Sequence, residues 1–217
     1  MDPVVALEIG TAKVVALVGE LGHGGNIAII GIGERASKGI RKGEVLDLDT
    51  VHACVHGALA DAEEMSGVEI NQVHLVFSDP HIQSVVNRGS IVVDHPRDGI
   101  TARDEQEVAH VARNISLPKG RMILHTIHRH YFVNDLSPVI SAEGFHGEKL
   151  SMDMLIVHGN HDRLQNTLDV VLELGIDVAD VAFGGLCAAL AVLKREQRER
   201  GAVVIDLGAG TTKYAVE

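Results

Sequence analysis

Two short loops rich in Gly and Thr, one near each end of the chain, contain the residues with the clearest chemistry. Residues 7–13 read LEIGTAK and residues 206–213 read DLGAGTTK, and each loop lies between two apolar runs. This pattern is typical of a strand, a tight polar turn and a second strand. Such a hairpin directs backbone N–H groups and a hydroxyl toward one point, which suits a phosphate.

An acidic residue stands at the end of the incoming strand in both loops, Glu8 in the first and Asp206 in the second. A carboxylate in this place can hold Mg²⁺, usually through the waters of the ion. One such hairpin is weak evidence, because Gly-rich hairpins are common. Two of them, each with an acid before its turn, indicate the two halves of a phosphate clamp.

Composition limits the classes of protein to which the chain can belong. The 217 residues are 46% hydrophobic, enough for a core, and carry a formal net charge of −11. This charge argues against nucleic acid as a partner, because such binding depends on Lys and Arg contacts to phosphates. No apolar run reaches the ~18 residues of a membrane span. Cys54 and Cys187 lie in apolar helical contexts, which favours free thiols in a reducing compartment.

The order of predicted elements is that of an α/β domain. Around and after the first loop, apolar periodicity predicts strands at 4–7 and 14–18, a turn at 22–26, a strand at 27–32, a helix at 50–65 capped by Asp49, and a strand at 73–77. The same pattern returns near the end of the chain. There it predicts a strand at 152–157, a helix between Asn160 and Gly175, a strand at 178–183 and a helix at 186–193.

Between these two parts, from Ser78 to about Ser151, the chain is rich in His, Arg and Asp and its apolar runs are interrupted. Thr101 and Asp104 have the spacing of a capping box at the start of a helix. Strand-like pieces are predicted at 82–86, 90–93, 122–127 and 130–133. We interpret this segment as a small inserted α+β subdomain.

Together these features resemble the FtsA family of actin-like bacterial cell-division proteins. The resemblance follows the chain in order through segments 7–14 (LEIGTAKV), 31–33 (GIG), 37–43 (SKGIRKG), 47–67, 78–82 and 87–89 (NRG). It implies the first half of an actin/Hsp70-like ATPase fold with an inserted subdomain called 1C, the second half being truncated. The implied domains are subdomain 1A at 1–78 and 151–200, the 1C-like insertion at 79–150, and the start of subdomain 2A at 201–217.

The resemblance also implies that the two loops bind ATP and Mg²⁺. The implied binding residues are Glu8, Gly10, Thr11, Lys13, Asp206, Gly208, Gly210 and Thr211, with Glu8 and Asp206 also facing Mg²⁺ through water. Two alternatives to these binding roles remain. The Glu8 carboxylate could accept hydrogen bonds from backbone N–H groups at the end of its strand, and Lys13 could be a solvated strand residue. No catalytic residue is assigned, and at most weak ATP hydrolysis by a full-length protein is expected.

Two residues of the second loop depart from the family pattern. Ala209 replaces the middle Gly of the usual GGGT, which is costly if that position needs a positive φ. Lys213 replaces an Asp that usually follows, and so reverses a charge near the metal.

The family implies a cytoplasmic scaffold at the inner face of the membrane at the division site. The expected partners are further copies of itself, the ring protein FtsZ through a region absent here, later division proteins through the 1C-like insertion, and the membrane through an absent carboxy-terminal helix. The alternatives are a PilM-like pilus-assembly protein and an Hsp70 or sugar-kinase type ATPase.

In the insertion, Arg88, Arg129, Tyr131 and Phe132 are candidates for partner contact, although Tyr131 and Phe132 are equally suited to its core.

A cluster of histidines in the insertion invites comparison with a metal site. His128 and His130 fall on one face of a predicted strand, and His-x-His pairs can bind Zn²⁺. No cysteine and no fixed ligand spacing supports zinc, so a polar surface is the favoured interpretation.

Overall fold

The computed structural model describes residues 3–22 and 25–216, so His23 and Gly24 of the predicted turn lie outside the described residues. The strands in chain order are β1 Val4–Ile9, β2 Lys13–Leu21, β3 Ile27–Ala36, β4 Ile40–Arg41, β5 Glu44–Val45, β6 Gln72–Phe77, β7 Gln83–Val92, β8 Arg121–Val133, β9 Lys149–Asn160, β10 Asp177–Phe183, β11 Val203–Leu207 and β12 Thr212–Val216. The helices are α1 Leu48–Ser66, α2 Ala102–Arg113, α3 His161–Leu172, α4 Gly184–Val192 and α5 Arg195–Glu199.

The chain divides into two compact units, of which the first comprises Met1–His81 and Asn160–Glu217. Its main sheet has the strand order β10-β6-β1-β2-β3. β1 is antiparallel to β2 and parallel to β6, and β6 is parallel to β10. Helix α1 packs on β2 and β3 and also contacts α3, which packs on β10. The strands and the helix predicted before residue 78 are therefore present in the predicted order, and the very short strands β4 and β5 occur in addition.

The buried face of the β1–β2 hairpin explains why this segment lies inside the sheet. Leu7, Val14, Ala16 and Val18 are completely inaccessible to solvent. Successive side chains of a strand point to opposite faces, so the alternation of apolar residues places one full row in the core.

The helix caps differ from prediction at two positions. α1 begins after Asp47, whose side chain accepts a hydrogen bond from the Thr50 N–H, so Asp49 lies within the first turn and is not the cap. The cause is spacing, because an N-cap side chain reaches the N–H two or three residues on. Asn160 caps α3 as predicted, but α3 ends at Leu172 and its C-cap is Glu173, not Gly175.

The second unit comprises Ile82–Gly159. Its sheet has the order β7-β9-β8, and α2 packs on β7. The predicted capping box of α2 is present, since Thr101 and Asp104 bond reciprocally. The core of the unit is formed by Val93, Ile100, Val108, Ala112, Tyr131, Val133, Ala142, Leu150, Met152, Met154 and Ile156.

The strands of the second unit are longer than the pieces predicted from the sequence. β7 continues through Gly89, where a Cβ would lie only 2.4 Å from the backbone nitrogen of Ala112 in α2. Gly89 therefore permits close packing of helix on strand instead of ending the strand. The segment 152–157, which we assigned to the main domain, lies in β9 and pairs with β7, so it belongs to the second unit.

Candidate functional site

The two loops predicted to bind phosphate are closed in the same way. In the β1–β2 loop the Gly10 N–H donates to the Lys13 carbonyl at 3.0 Å, and in the β11–β12 loop the Gly208 N–H donates to the Thr211 carbonyl at 3.0 Å. A Cβ on either glycine would lie within 2.9 Å of the same carbonyl oxygen. Glycine is therefore needed at the start of both loops because of this close approach.

The acidic residues also occupy equivalent positions in the two hairpins. Glu8 pairs with Val15 across the first hairpin, and Asp206 pairs with Lys213 across the second. Each acid stands two residues before the closing glycine, so the sequence likeness of the loops reflects one backbone arrangement used twice. The hairpins differ in the cross-strand neighbour, which is apolar in the first and cationic in the second.

The loops meet at Thr11 and Gly210. A Cβ on Gly210 would lie 2.5 Å from Thr11 Oγ1 and 2.9 Å from the Cα of Lys42. Thr11 Oγ1 itself accepts a hydrogen bond from the Gly43 N–H at 3.0 Å. The small residue at position 210 therefore allows the loops to touch, while the short connection between β4 and β5 holds the threonine.

The two loops line an open cleft with a volume of about 300 Å³. Every residue predicted to bind nucleotide lines it, together with Gly43, Ser78 and Lys213. The lining residues from the prediction are Glu8, Gly10, Thr11, Lys13, Asp206, Gly208, Gly210 and Thr211. The fold thus brings residues from near the two ends of the chain together in this cleft.

Lys213 provides the main electrostatic feature of the cleft. Its Nζ lies 2.7 Å from Asp206 Oδ2, 3.2 Å from Glu8 Oε1 and 3.2 Å from Ser78 Oγ. The Lys213 side chain is 10% exposed, whereas those of Glu8 and Asp206 are 40% and 39% exposed. An ammonium has three N–H donors, and these contacts use all three.

The surroundings of Lys213 favour its charged form. Burial lowers the pKa of the ammonium, but the bond to Asp206 and the charge of Glu8 outweigh it, so the pKa is raised overall. The amino end of α4 is adjacent, because a Cβ on Gly184 would lie 3.2 Å from the Lys213 Nζ. A helix amino terminus carries partial positive charge and disfavours a cation, so the two carboxylates must hold the lysine in place.

Two residues of the loops, Lys13 and Ala209, are exposed. The Nζ of Lys13 lies 2.8 Å from Glu34 in an ion pair whose two side chains are more than half exposed, so its ammonium is engaged on the surface. Ala209 is exposed and is absent from the positive-φ positions of the described residues. The methyl group in place of the usual glycine therefore causes no backbone strain.

Gly43 and Ser78 also line the cleft, although neither was predicted as a site residue. Asp79, whose side chain is fully buried, accepts from Arg163 Nη1 at 2.9 Å and from the His81 N–H at 2.7 Å. These bonds fix the segment that presents Ser78. Gly43 has φ 75°, and its place between two very short strands gave no periodic signal.

In the second unit, the four candidate contact residues divide between core and surface. Tyr131 is buried in the core, which agrees with the alternative considered for it. Arg88 donates to both oxygens of Asp153, at 2.6 and 2.8 Å, and its guanidinium lies 4.0 Å from the centre of the Phe132 ring. The bond from Arg88 holds the pKa of Asp153 below its usual range. Arg129 is exposed.

Residues 3–22 and 25–216, which the structure describes, contain neither a metal-binding cluster nor a membrane-spanning helix. Within that range no three His, Cys, Asp or Glu side chains converge in a manner suited to a metal ion. No helix in the same range is long and apolar enough to cross a membrane.

The chain is similar to known proteins in sequence as well as in fold. Residues 80–158 match the family model described as the SHS2 domain inserted in FTSA. The cell division protein FtsA of Escherichia coli (strain K12) is 34% identical over 213 residues, 98% of this chain and 50% of that protein. FtsA of Pseudomonas aeruginosa is 30% identical over 98% of this chain and 51% of its own length. The chain spans about half the length of the curated relatives it matches.

Solved structures support the fold. The PilM-PilN type IV pilus biogenesis complex matches with a TM-score of 0.66 at 15% identity, over 98% of this chain and 57% of that one. The ethanolamine utilization protein EutJ from Carboxydothermus hydrogenoformans matches with a TM-score of 0.51 at 14% identity, over 100% of this chain and 47% of that one. At such identities the likeness concerns the fold alone, and it confirms the predicted actin-like ATPase fold.

Proposed function

We propose that the chain is a partial member of the FtsA family and that it forms part of an actin-like scaffold of bacterial cell division. The observation that carries the proposal is the meeting of both loops in one cleft, in a chain whose other unit matches the insertion typical of FtsA. The PilM-like alternative rests on fold likeness alone. The identity of about one third to FtsA, over nearly the whole chain, favours cell division.

In this proposal the cleft binds the phosphates of ATP. The N–H groups of Thr11, Gly210 and Thr211 are the donors for the phosphate oxygens, while those of Gly10 and Gly208 close their own loops. Phosphate binding by such loops needs little side-chain chemistry, because preorganised N–H groups supply the partial positive charge. Lys13 would contribute only after it leaves Glu34.

The two predicted Mg²⁺ ligands both contact a cationic side chain. Glu8 and Asp206 share the Lys213 ammonium, so their charge is already partly neutralised. This arrangement does not fit a divalent cation placed between the two carboxylates, and we assign no step of the function to such an ion.

The second unit is proposed as the contact module for further copies of the chain and for later division proteins. Its exposed Arg129 and the surface pair of Arg88 and Phe132 are the candidates for contact. Binding to FtsZ and attachment to the inner face of the membrane at the division site are proposed for the whole protein.

The nucleotide proposal is tested by titrating ATP into the isotopically labelled chain and following backbone amide resonances. We expect the largest shifts at Gly10, Thr11, Gly208 and Gly210, and none at Gly120, a turn glycine of the second unit. Because phosphate loops alone leave adenosine without contacts, we expect weak affinity and a similar response to inorganic tripolyphosphate. Shifts confined to other parts of the chain, or no shifts at millimolar ATP, would contradict the proposal.

The contact proposal is tested by sedimentation of the full chain with Arg129→Glu, and with Lys119→Glu as a control at another exposed cation of the same unit. We expect the first variant to weaken self-association and the second to leave it unchanged. Equal association of the wild-type chain and Arg129→Glu would move the contact surface elsewhere.

A further inference from the structure

The two carboxylates predicted to face a metal already hold a cation that belongs to the chain. The Lys213 Nζ contacts Asp206 at 2.7 Å and Glu8 at 3.2 Å, and Ser78 Oγ completes its set of acceptors at 3.2 Å. Glu8 lies in β1 and Asp206 in β11, so the ammonium links the first hairpin to the second. A divalent ion that bridged these two carboxylates would have to occupy the same space.

We infer that the ammonium of Lys213 takes the place of the divalent cation in this cleft, so that the site works without metal. The phosphate ligand in this inference rests on the proposed function. The replacement of the divalent cation by the Lys213 ammonium does not, because it rests on the contacts of Lys213 alone. The ammonium compensates one of the two negative charges. A second cation at this distance would be repelled by the lysine, because like charges at contact repel strongly in a partly buried site.

The fold makes room for this lysine. A Cβ on Gly184 would lie 2.5 Å from Ser78 Oγ and 3.2 Å from Lys213 Nζ, so a larger residue there would displace the serine or the ammonium. The Lys213 side chain is almost completely enclosed, whereas the other lysine of the cleft, Lys13, is 55% exposed and pairs outside it. The burial of its side chain therefore distinguishes Lys213 from Lys13, which forms only an exposed ion pair.

The metal part of the inference is tested without nucleotide, using Mn²⁺ as the probe, since carboxylate sites that suit Mg²⁺ also bind Mn²⁺. Electron paramagnetic resonance measures free Mn²⁺ in the presence of the wild-type chain, Lys213→Met and Lys149→Met. Lys149 is a matched control, because its ammonium lies 2.8 Å from one carboxylate, Asp135, on the surface of the second unit.

We expect Lys213→Met to bind Mn²⁺ at least about tenfold more tightly than the wild-type chain, because two carboxylates lose their internal counter-ion. Lys149→Met should behave as the wild type. Mn²⁺ should also raise the thermal midpoint of Lys213→Met and leave that of the wild type unchanged. Tight binding of Mn²⁺ by the wild-type chain, or equal binding by both Lys213→Met and wild type, would overturn the inference. If Lys213→Met folds poorly, Lys213→Gln serves as the second variant. Binding of Mn²⁺ by the wild-type chain tests the inference in either case.

A second experiment addresses the phosphate ligand. Tripolyphosphate is titrated into the wild-type chain and Lys213→Met, with EDTA and with excess Mg²⁺. Binding by the wild type should change by less than about threefold between the two conditions, and that by Lys213→Met by about tenfold or more. A strong requirement for Mg²⁺ in the wild type would overturn the inference. Absence of binding in all conditions would instead overturn the proposed phosphate function, while the Mn²⁺ result would still decide whether Lys213 holds the place of the cation.

Discussion

The two loop hairpins share one backbone arrangement but have opposite surroundings. β1–β2 lies inside a five-stranded sheet, and its Leu7, Val14 and Val18 are completely buried. β11–β12 forms a sheet of only two strands, and one of its faces exposes Ile205 at 61% and Tyr214 at 69%. The other face of β11–β12 contacts α4.

This difference separates what a loop sequence determines from what its environment determines. The closing hydrogen bond and the position of the acid are the same in both hairpins, because they depend on local spacing of Gly and Glu or Asp. Stability depends on the strands on either side. A hairpin without further strands is marginal in water, so the second loop relies on α4, on the Lys213 bridge and on its contact with Thr11.

The sharpest test of the comparison is the same substitution in both hairpins. Leu7→Ala should destabilise the chain by about 3–5 kcal/mol, because it opens a cavity in a closed core. Leu207→Ala, at a residue 79% exposed, should change the free energy of unfolding by less than ~0.5 kcal/mol. Chemical denaturation of the dilute monomer measures both. A large cost for Leu207→Ala would show that the exposed face of β11–β12 is covered in solution.

Hydrogen exchange should show the same difference at the level of backbone amides. We expect amides of β2 that pair with β1 to be protected at least about 100-fold more strongly than those of β12, because an edge hairpin opens without unfolding the sheet. Mass spectrometry of peptides from the dilute chain gives both values in one experiment. Equal protection of β2 and β12 would mean that the second hairpin is as stable as the first.

A pair of neighbouring residues in the second loop tests how the loops meet. Gly210→Ala should cost about 1–3 kcal/mol and weaken tripolyphosphate binding, because its Cβ would overlap Thr11 Oγ1. Ala209→Gly should change stability and binding little, since Ala209 is exposed and not at positive φ. Thermal unfolding and calorimetry measure the two variants side by side. A loss of binding in Ala209→Gly comparable to that in Gly210→Ala would show that the contact with Thr11 is not what shapes the cleft.

Much of this site could be predicted because its signals are local. A tight turn between apolar strands requires Gly at Gly10 and Gly208, and an acid beside each turn is visible in the sequence. The capping residues Thr101 and Asn160 were found for the same reason, since a cap depends on residues two or three positions apart. The structure agrees with these predictions.

Apart from the caps expected at Asp49 and Gly175, the predictions that failed depend on contacts between segments distant in sequence. β7 was predicted as two pieces, 82–86 and 90–93, because nothing in the sequence shows that Ala112 packs against Gly89. The carboxy-terminal end of the insertion was placed too early, at residue 150, because β9 pairs with β7, a contact between residues about 65 positions apart, such as Arg88 and Asp153. The loops did not indicate that Lys213 would reach both Glu8 and Ser78, since three segments must fold before these atoms meet.

The smallest effect on thermal stability is expected from substitution of Lys13, the lysine of the first hairpin. This substitution can be compared with that of Lys213 in the second hairpin. Lys13 and Glu34 form an ion pair whose side chains are 55% and 54% exposed, and the bond to Glu34 raises the pKa of Lys13. Water and salt screen such a pair, so Lys13→Met should leave the thermal midpoint unchanged at both low and high ionic strength. Glu34→Gln is the matched variant, since it removes the other charge of the same pair. Scanning calorimetry at two salt concentrations makes the measurement. A fall in the midpoint for both variants that disappears at high salt would show that the first hairpin depends on a surface charge, and that enclosure does not distinguish Lys213 from Lys13.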